Sequence, residues 1–187
     1  MHDDRWNELL RIMNGEILDP LPVGLIIDSP WLAGWAGMTP VDYFGSEQRW
    51  FEANVRAMEL FPDVIFLPGF WAEYGMCTEP SAFGAKLVFP ENELPFAEKV
   101  IKDLADVAGM KKPNCRTDGL CPMVIQRLRQ MQPRIEDLGC HVRFATCRGP
   151  MNIATFLFGH TEMLMALKLQ PEESHRLLDI ITDFLMD

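Results

Sequence analysis

The chain has 187 residues, 48% of them hydrophobic, and a formal net charge of −10. This length and composition suit one domain with a real core and exclude a disordered chain. The negative charge argues against nucleic acid and anionic membranes as partners, because phosphate contacts require clustered Lys and Arg. No apolar run reaches the ~20 residues of a spanning helix, and the charged N-terminus is unlike a signal peptide. We therefore expect a cytoplasmic protein.

The first part of the chain has the pattern of strands alternating with helices. Apolar residues at helical spacing predict a helix over 5–13, and the apolar run at 23–27 predicts a strand buried on both faces, as in a parallel sheet. A long loop follows it. Ser46 is placed to cap a helix over 47–61, and the run at 64–67 predicts the second strand.

The rest of the chain continues this alternation after a second long loop. A short extended piece is predicted at 86–90 and the third strand at 141–145. Helices are predicted at 99–108, 122–138, 150–157, 160–168 and from Pro171 onward. Pro133 predicts a kink or a break in its helix. Three strands, each followed by helical sequence, predict an α/β fold with a parallel sheet and covering helices.

The candidate site lies in the segments that follow the three strands, where (β/α) barrels carry their active sites. These segments combine aromatic residues with a few carboxylates and one Arg, a set that suits a flat or apolar ligand. Ordinary loop packing is the alternative. The residues are Asp28, Trp31, Trp35 and Tyr43 after the first strand, Phe70, Trp71, Glu73, Tyr74, Cys77 and Glu79 after the second, and Arg148 and Asn152 after the third.

Metal ligands and nucleotide-binding motifs are not predicted. The five cysteines contain no CxxC pair, as expected of buried thiols in a reducing compartment. Cys140 and His141 would point to opposite faces of a strand, and His160 and Glu162 do not share a helix face. The sequence has no four-ligand zinc spacing, no P-loop and no GxGxxG.

Four stretches carry a resemblance to a known family. In chain order they are "RWNELLRIMNGEILDPLPVGL", "TEPSAFGAKLVFPENELPF", "RGPMNIATFLFGHTEMLMAL" and "QPEESHRLLDIITDF". They resemble the uroporphyrinogen decarboxylase (URO-D) superfamily of (β/α)8 TIM barrels, which includes the decarboxylase and the cobalamin- or corrinoid-dependent methyltransferases. The resemblance implies a single domain over 1–187 that is the N-terminal half of such a barrel, either truncated or completed by a partner chain.

Departures from the decarboxylase pattern favour the methyltransferase branch. The decarboxylase holds substrate carboxylates with an Arg-rich stretch after the first strand, whereas this chain reads IIDSPW and has no Arg between Arg11 and Arg49. Phe156 stands where the decarboxylase has a Tyr. A tetrapyrrole polyacid requires cations to offset its charge, and this chain offers few. The methyltransferase branch keeps the residue at Glu79.

The resemblance therefore implies a methyltransferase-like member that contributes half of a substrate or corrinoid pocket. The alternatives are a uroporphyrinogen decarboxylase of porphyrin biosynthesis and a non-catalytic corrinoid-binding or partner subunit. The resemblance places the branch's zinc ligands in a C-terminal half, so the chain alone is expected to be inactive and to bind no cofactor alone. Its expected partners are itself, a second half-barrel subunit or a corrinoid protein. The catalytic candidates are Glu79, Glu73 and Arg148, and the binding candidates are Asp28, Trp31, Trp35, Trp71, Tyr74, Asn152 and Phe156.

Overall fold

The computed structural model describes residues 1–187 and has an α/β fold that is mostly helical with a short parallel sheet. No helix is both long and apolar enough to cross a bilayer. The elements in chain order are α1 (Asp3–Met13), β1 (Val23–Ile26), α2 (Ser29–Trp35), α3 (Pro40–Gly45), α4 (Glu47–Leu60), β2 (Val64–Leu67), α5 (Thr78–Ala82), β3 (Leu87–Val88), β4 (Phe96–Ala97), a 3₁₀ helix (Leu104–Gly109), α6 (Cys121–Asp137), α7 (Pro150–Phe158), α8 (His160–Leu169) and α9 (Pro171–Leu185).

The parallel sheet consists of β1 and β2, with Val23 opposite Val64 and Ile26 opposite Leu67. This pairing confirms the predicted parallel arrangement of the first two strands. The prediction that the first strand is buried on both faces is wrong, because all four residues of β1 are exposed and Ile26 keeps 72% of its surface accessible. A strand with one paired neighbour is not enclosed as the central strands of a larger parallel sheet are.

The predicted strand at 141–145 is also wrong, because this segment is irregular. The only strand-like pairing near this segment is an isolated antiparallel bridge between Cys140 and His2. Beside this bridge, the His141 backbone N–H donates to the Met1 carbonyl at 2.9 Å. Strand structure requires a ladder of backbone bonds, and one bridge does not supply it. The extended piece at 86–90 contains β3, which pairs antiparallel with β4.

The long helices begin and end close to the residues that the sequence predicted. Ser46 caps α4, since its side chain accepts a hydrogen bond from the Arg49 backbone N–H at 3.2 Å. Gly139, with φ of 68°, follows α6, which continues through Pro133 without ending. The helix predicted at 99–108 is reduced to the 3₁₀ helix Leu104–Gly109. The segments after β1 and β2 were predicted as loops, and they contain the short helices α2, α3 and α5.

The chain divides into two compact units, each with its own core. Unit one comprises 1–72 and 126–146, and unit two comprises 73–125 and 147–187. The largest buried side chains of unit one include Trp50, Tyr43, Leu32 and Ile65. The core of unit two is formed by Leu104, Val107, Ile153, Leu157, Met163, Leu177 and Ile181.

Candidate active site

Two buried carboxylates meet one arginine in unit two. The Arg148 guanidinium donates through Nη1 to Oε2 of Glu73, and the Arg148 backbone N–H donates to Oε1 of Glu79 at 2.9 Å. The side chains of Glu73 and Arg148 are 5% and 11% exposed, and Glu79 is 7% exposed. We call Glu73, Glu79 and Arg148 the carboxylate cluster. It gathers the three residues that were predicted as catalytic.

Side-chain hydrogen bonds fix the short helix that carries Glu79. Thr78 accepts from the Tyr74 backbone N–H and donates to the Gly75 carbonyl, both at 2.9 Å. Ser81 accepts from the backbone N–H of Leu120 at 2.8 Å. These bonds hold α5, which is too short to be stable on its own, at one position beside Arg148.

Gly119 lets the chain pass close to this helix. Its φ is 59°, and a Cβ atom there would lie 2.4 Å from the Ala82 backbone nitrogen. Only glycine satisfies both the backbone conformation and the space. The close approach therefore supports the hydrogen bond that Ser81 accepts from Leu120.

Oε2 of Glu79 is buried and has no hydrogen-bond partner. Burial raises the pKa of Glu79, and the backbone N–H of Arg148 opposes that rise without cancelling it. A buried carboxylate oxygen without a partner strongly disfavours the ionised form. The cluster thus contains one carboxyl group with an oxygen left available for a further contact.

The neighbouring thiols are not nucleophiles at neutral pH. Burial raises the pKa of Cys77 to about 11. Burial raises the pKa of Cys121 to about 12. Because the thiolate is the reactive form, these two cysteines are inert as attacking groups.

The predicted aromatic residues of unit one are spread along α2 and the segment after β2. Trp31 and Trp35 stack with ring centroids 5.1 Å apart, and the Arg56 guanidinium lies 4.8 Å from the Trp35 ring centroid. Asp28 directly precedes α2. The carbonyl of Trp71 accepts from the Trp50 indole N–H at 3.0 Å. Trp31 and Trp35 thus contact each other, and the Trp71 carbonyl is bonded to the buried Trp50.

Other predicted residues occupy packing positions. In unit one, Tyr43 packs edge-on against Phe44, and Phe70 stacks on Phe51. In unit two, Tyr74 and Cys77 are buried, Asn152 is exposed at the start of α7, and Phe156 packs edge-on against His160 with centroids 6.1 Å apart. Ordinary packing explains Tyr43 and Phe70.

One buried charged residue was missed by the sequence analysis. Arg127 is 1% exposed, donates to Glu47 and to the Phe44 carbonyl, and lies over the Trp50 ring. The available signal was its position on the same helix face as Met131 and Ile135, at intervals of four residues. An Arg in an apolar stripe predicts a paired, buried cation.

Comparison with known proteins identifies the family. The uroporphyrinogen decarboxylase (URO-D) family profile matches residues 5–187. The chain belongs to the URO-D family. This confirms the resemblance drawn from the four sequence stretches. No curated protein matches the chain.

A solved structure has the same fold over most of this chain. It is a methyltransferase from Methanosarcina mazei, with a TM-score of 0.70 and 19% sequence identity, covering 95% of this chain and 52% of that chain. The chain thus spans about half the length of that structure. At this identity the likeness establishes the fold.

The metal and the corrinoid implied by the URO-D resemblance differ in how they fit these residues. No group of three His, Cys, Asp or Glu side chains could hold a metal ion, so the residues present do not fit zinc. A corrinoid has peripheral amide groups, and the available oxygen of Glu79 fits an amide partner.

A cavity of about 380 Å³ lies in unit one and is lined by His2, Arg5 and Phe66 among others. It has the volume of a small-ligand site and contains no member of the carboxylate cluster.

Proposed function

We propose that this URO-D family chain is methyltransferase-like and contributes one half of a substrate or corrinoid pocket. The observation that carries the proposal is the buried carboxylate cluster, in which Oε2 of Glu79 has no partner. Unpaired buried polar atoms are rare in folded proteins and concentrate at functional sites. The shared fold with a methyltransferase supports the choice of branch.

The charge of the cluster argues against the decarboxylase alternative. A substrate with several carboxylates must be held by cations. Arg148 is the cation of the cluster, and Glu73 already pairs with it. The chain as a whole carries a charge of −10. The cluster therefore adds no net positive charge that could attract a polyacid.

Each member of the cluster has a separate role in the proposed pocket. Glu73 neutralises Arg148, Arg148 fixes Glu79 through its backbone N–H, and Glu79 contacts the ligand through Oε2. A corrinoid, when bound, supplies the cobalt that carries the methyl group. The residues of this chain orient the ligand and keep water away from it. Trp31, Trp35, Trp71, Tyr74, Asn152, Phe156 and Asp28 remain candidates for further binding contacts.

The remainder of the pocket comes, in this proposal, from another half-barrel, either a second copy or a different subunit, with a corrinoid protein as a further partner. The support is β1, whose apolar residues Val23, Leu25 and Ile26 are exposed. Only one edge of β1 is paired, with β2. An unpaired, apolar strand edge is a typical place for another strand to add.

A titration of methylcobalamin with the assembly that co-purifies with the affinity-tagged chain tests the corrinoid part of the proposal. We expect a saturable change in the visible spectrum, weakened at least about tenfold by Glu79→Ala, which is the loss of roughly one hydrogen bond. Glu59→Ala, on the exposed face of α4, is the control. Equal titrations for wild type and Glu79→Ala would contradict the placement of the corrinoid edge at the cluster.

A further inference from the structure

We infer that α2 carries a stacking site, in which the open face of Trp31 and the backbone of Gly34 hold an uncharged, electron-rich aromatic ligand with two fused rings, of the indole class. The site consists only of residues of unit one. It goes beyond the proposed function and does not depend on the carboxylate cluster.

Trp31 ends a stack of two indoles at the protein surface. Its ring lies on that of Trp35, with centroids 5.1 Å apart and an angle of 17° between the planes. Trp31 nevertheless keeps 42% of its surface accessible. An indole has one of the largest apolar surfaces of any side chain, and its flat face favours a further stacked ring. The stack therefore presents an indole on which a ligand can lie.

Gly34 lies beside the exposed indole and leaves room for this ligand. The helical turn places Trp35 about 40° to one side of Trp31 around the axis of α2, and Gly34 about 60° to the other side. The face of Trp31 that is turned away from Trp35 is thus on the side of Gly34. A Cβ atom at Gly34 would meet no other atom within 4 Å. The glycine keeps a notch open between the backbone and the indole.

Neither backbone conformation nor packing within the protein explains this glycine. Gly34 lies inside α2, and the positive φ that requires glycine occurs at Gly37, with 77°, after the helix has ended. Apart from proline, glycine is the least favourable residue in a helix, and the open space at Gly34 would accept alanine. A common use of glycine is to let a ligand approach the backbone closely. A ring stacked on Trp31 requires this space.

Arg56 sets the electronic preference of the stack. Its guanidinium lies over Trp35 at 4.8 Å from the ring centroid. The cation draws the π electrons of the stacked indoles towards itself, so the open face of Trp31 is less negative than that of an isolated indole. A second cation is disfavoured there, and an electron-rich ring is preferred to an electron-poor one. The net charge of −10 disfavours an anion.

Two glycine substitutions test the notch. Gly34→Ala adds one methyl group beside Trp31. Gly45→Ala adds the same group at the end of α3, where a Cβ atom also meets no other atom within 4 Å. Neither change should lower the midpoint of urea unfolding, because alanine has the higher helix propensity. Only Gly34→Ala should weaken ligand binding, and this combination distinguishes a binding role from a structural one.

The experiment measures binding by calorimetry to the assembly that co-purifies with the affinity-tagged chain. The probes are indole, the electron-poor nitroindole and the cation benzyltrimethylammonium. We expect indole to bind at least about threefold more tightly than either other probe. Its affinity should fall at least about tenfold in Gly34→Ala and in Trp31→Leu, on the scale of one base stacked on an aromatic side chain. It should change less than about threefold in Gly45→Ala.

Arg56→Met gives a separate readout of the electronic preference. Without the cation, the affinities of indole and nitroindole should become equal within about twofold. No binding of indole, tighter binding of either other probe, or equal losses in Gly34→Ala and Gly45→Ala would overturn the stacking site. An unchanged preference in Arg56→Met would overturn the role of the cation. None of these measurements uses methyl transfer, so the stacking site and the proposed function can fail separately.

Discussion

The backbone N–H of Arg148, and not its side chain, holds Glu79, at 2.9 Å from Oε1. The guanidinium of the same residue pairs with Glu73. The two carboxylates of the cluster are thus held by separate groups of one residue. A substitution of the Arg148 side chain breaks the ion pair and leaves the donor to Glu79 in place, so the two contacts can be tested independently.

Breaking the buried ion pair should destabilise the protein strongly. Arg148→Met leaves the Glu73 carboxylate buried without its cation, and we expect a loss of about 3–5 kcal/mol in the free energy of unfolding. Glu73→Gln combined with Arg148→Met should recover most of it, because no unpaired charge remains. Urea unfolding measures both. As control, Lys86→Met removes the exposed pair with Glu98 and should cost less than about 1 kcal/mol.

The raised pKa of Glu79 predicts a dependence of stability on pH. The stabilisation from its buried neutral form is fully present below the unfolded pKa of about 4.3 and is lost as pH rises through the folded value. Glu79→Gln has no such titration. Its free energy of unfolding should therefore improve relative to wild type as pH rises above about 4.3, by roughly 1.4 kcal/mol per unit of the pKa shift. A difference that is constant over this range would contradict the raised pKa.

Arg127 should be a structural residue of unit one. In Arg127→Met the Phe44 carbonyl loses its buried donor and Glu47 loses its cation, so we expect a loss of about 2–4 kcal/mol in chemical unfolding. The matched control is Arg56→Met, whose guanidinium lies over Trp35 at the surface and should contribute less than about 1 kcal/mol. Similar losses in the two variants would contradict the role assigned to burial.

The exposed strand β1 predicts association. Light scattering of the chain at micromolar concentration should show a dimer or larger species, because apolar residues along an unpaired edge favour strand addition. Leu25→Lys should shift the distribution towards monomer, and Leu164→Lys, at an exposed apolar site on α8, serves as the control. A monomeric wild type would contradict association through this strand.

The sequence predicted the elements whose signals are local. Ser46 marks the start of α4, Gly139 follows the end of α6, and the apolar run at 64–67 is β2. It failed where structure depends on distant partners. Residues 141–145 were predicted as a strand, but strand structure requires a neighbouring ladder that Met1 and His2 do not complete.

For the candidate site, too, the residues could be predicted from the sequence, but their contacts with residues far away in the chain could not. Glu73, Glu79 and Arg148 were selected because they follow predicted strands, and they do meet, although the strand predicted before Arg148 is not formed. The unpaired state of Oε2 could not be predicted, since it depends on which donors the folded chain leaves out of reach. Arg127 was missed because its partner Glu47 is 80 residues away in sequence.

The most direct test of the account is the methyl-transfer rate of the assembly that co-purifies, without oxygen, with an affinity-tagged chain from its native cells. The assay follows transfer of the methyl group from methylcobalamin to a thiol. We expect transfer above background that falls at least about 100-fold in Glu79→Ala, on the scale of losing a group that acts directly on the substrate, and is unchanged in Glu59→Ala. No transfer by the wild-type assembly, or an equal rate in Glu79→Ala, would contradict a methyl-transfer pocket built on the carboxylate cluster.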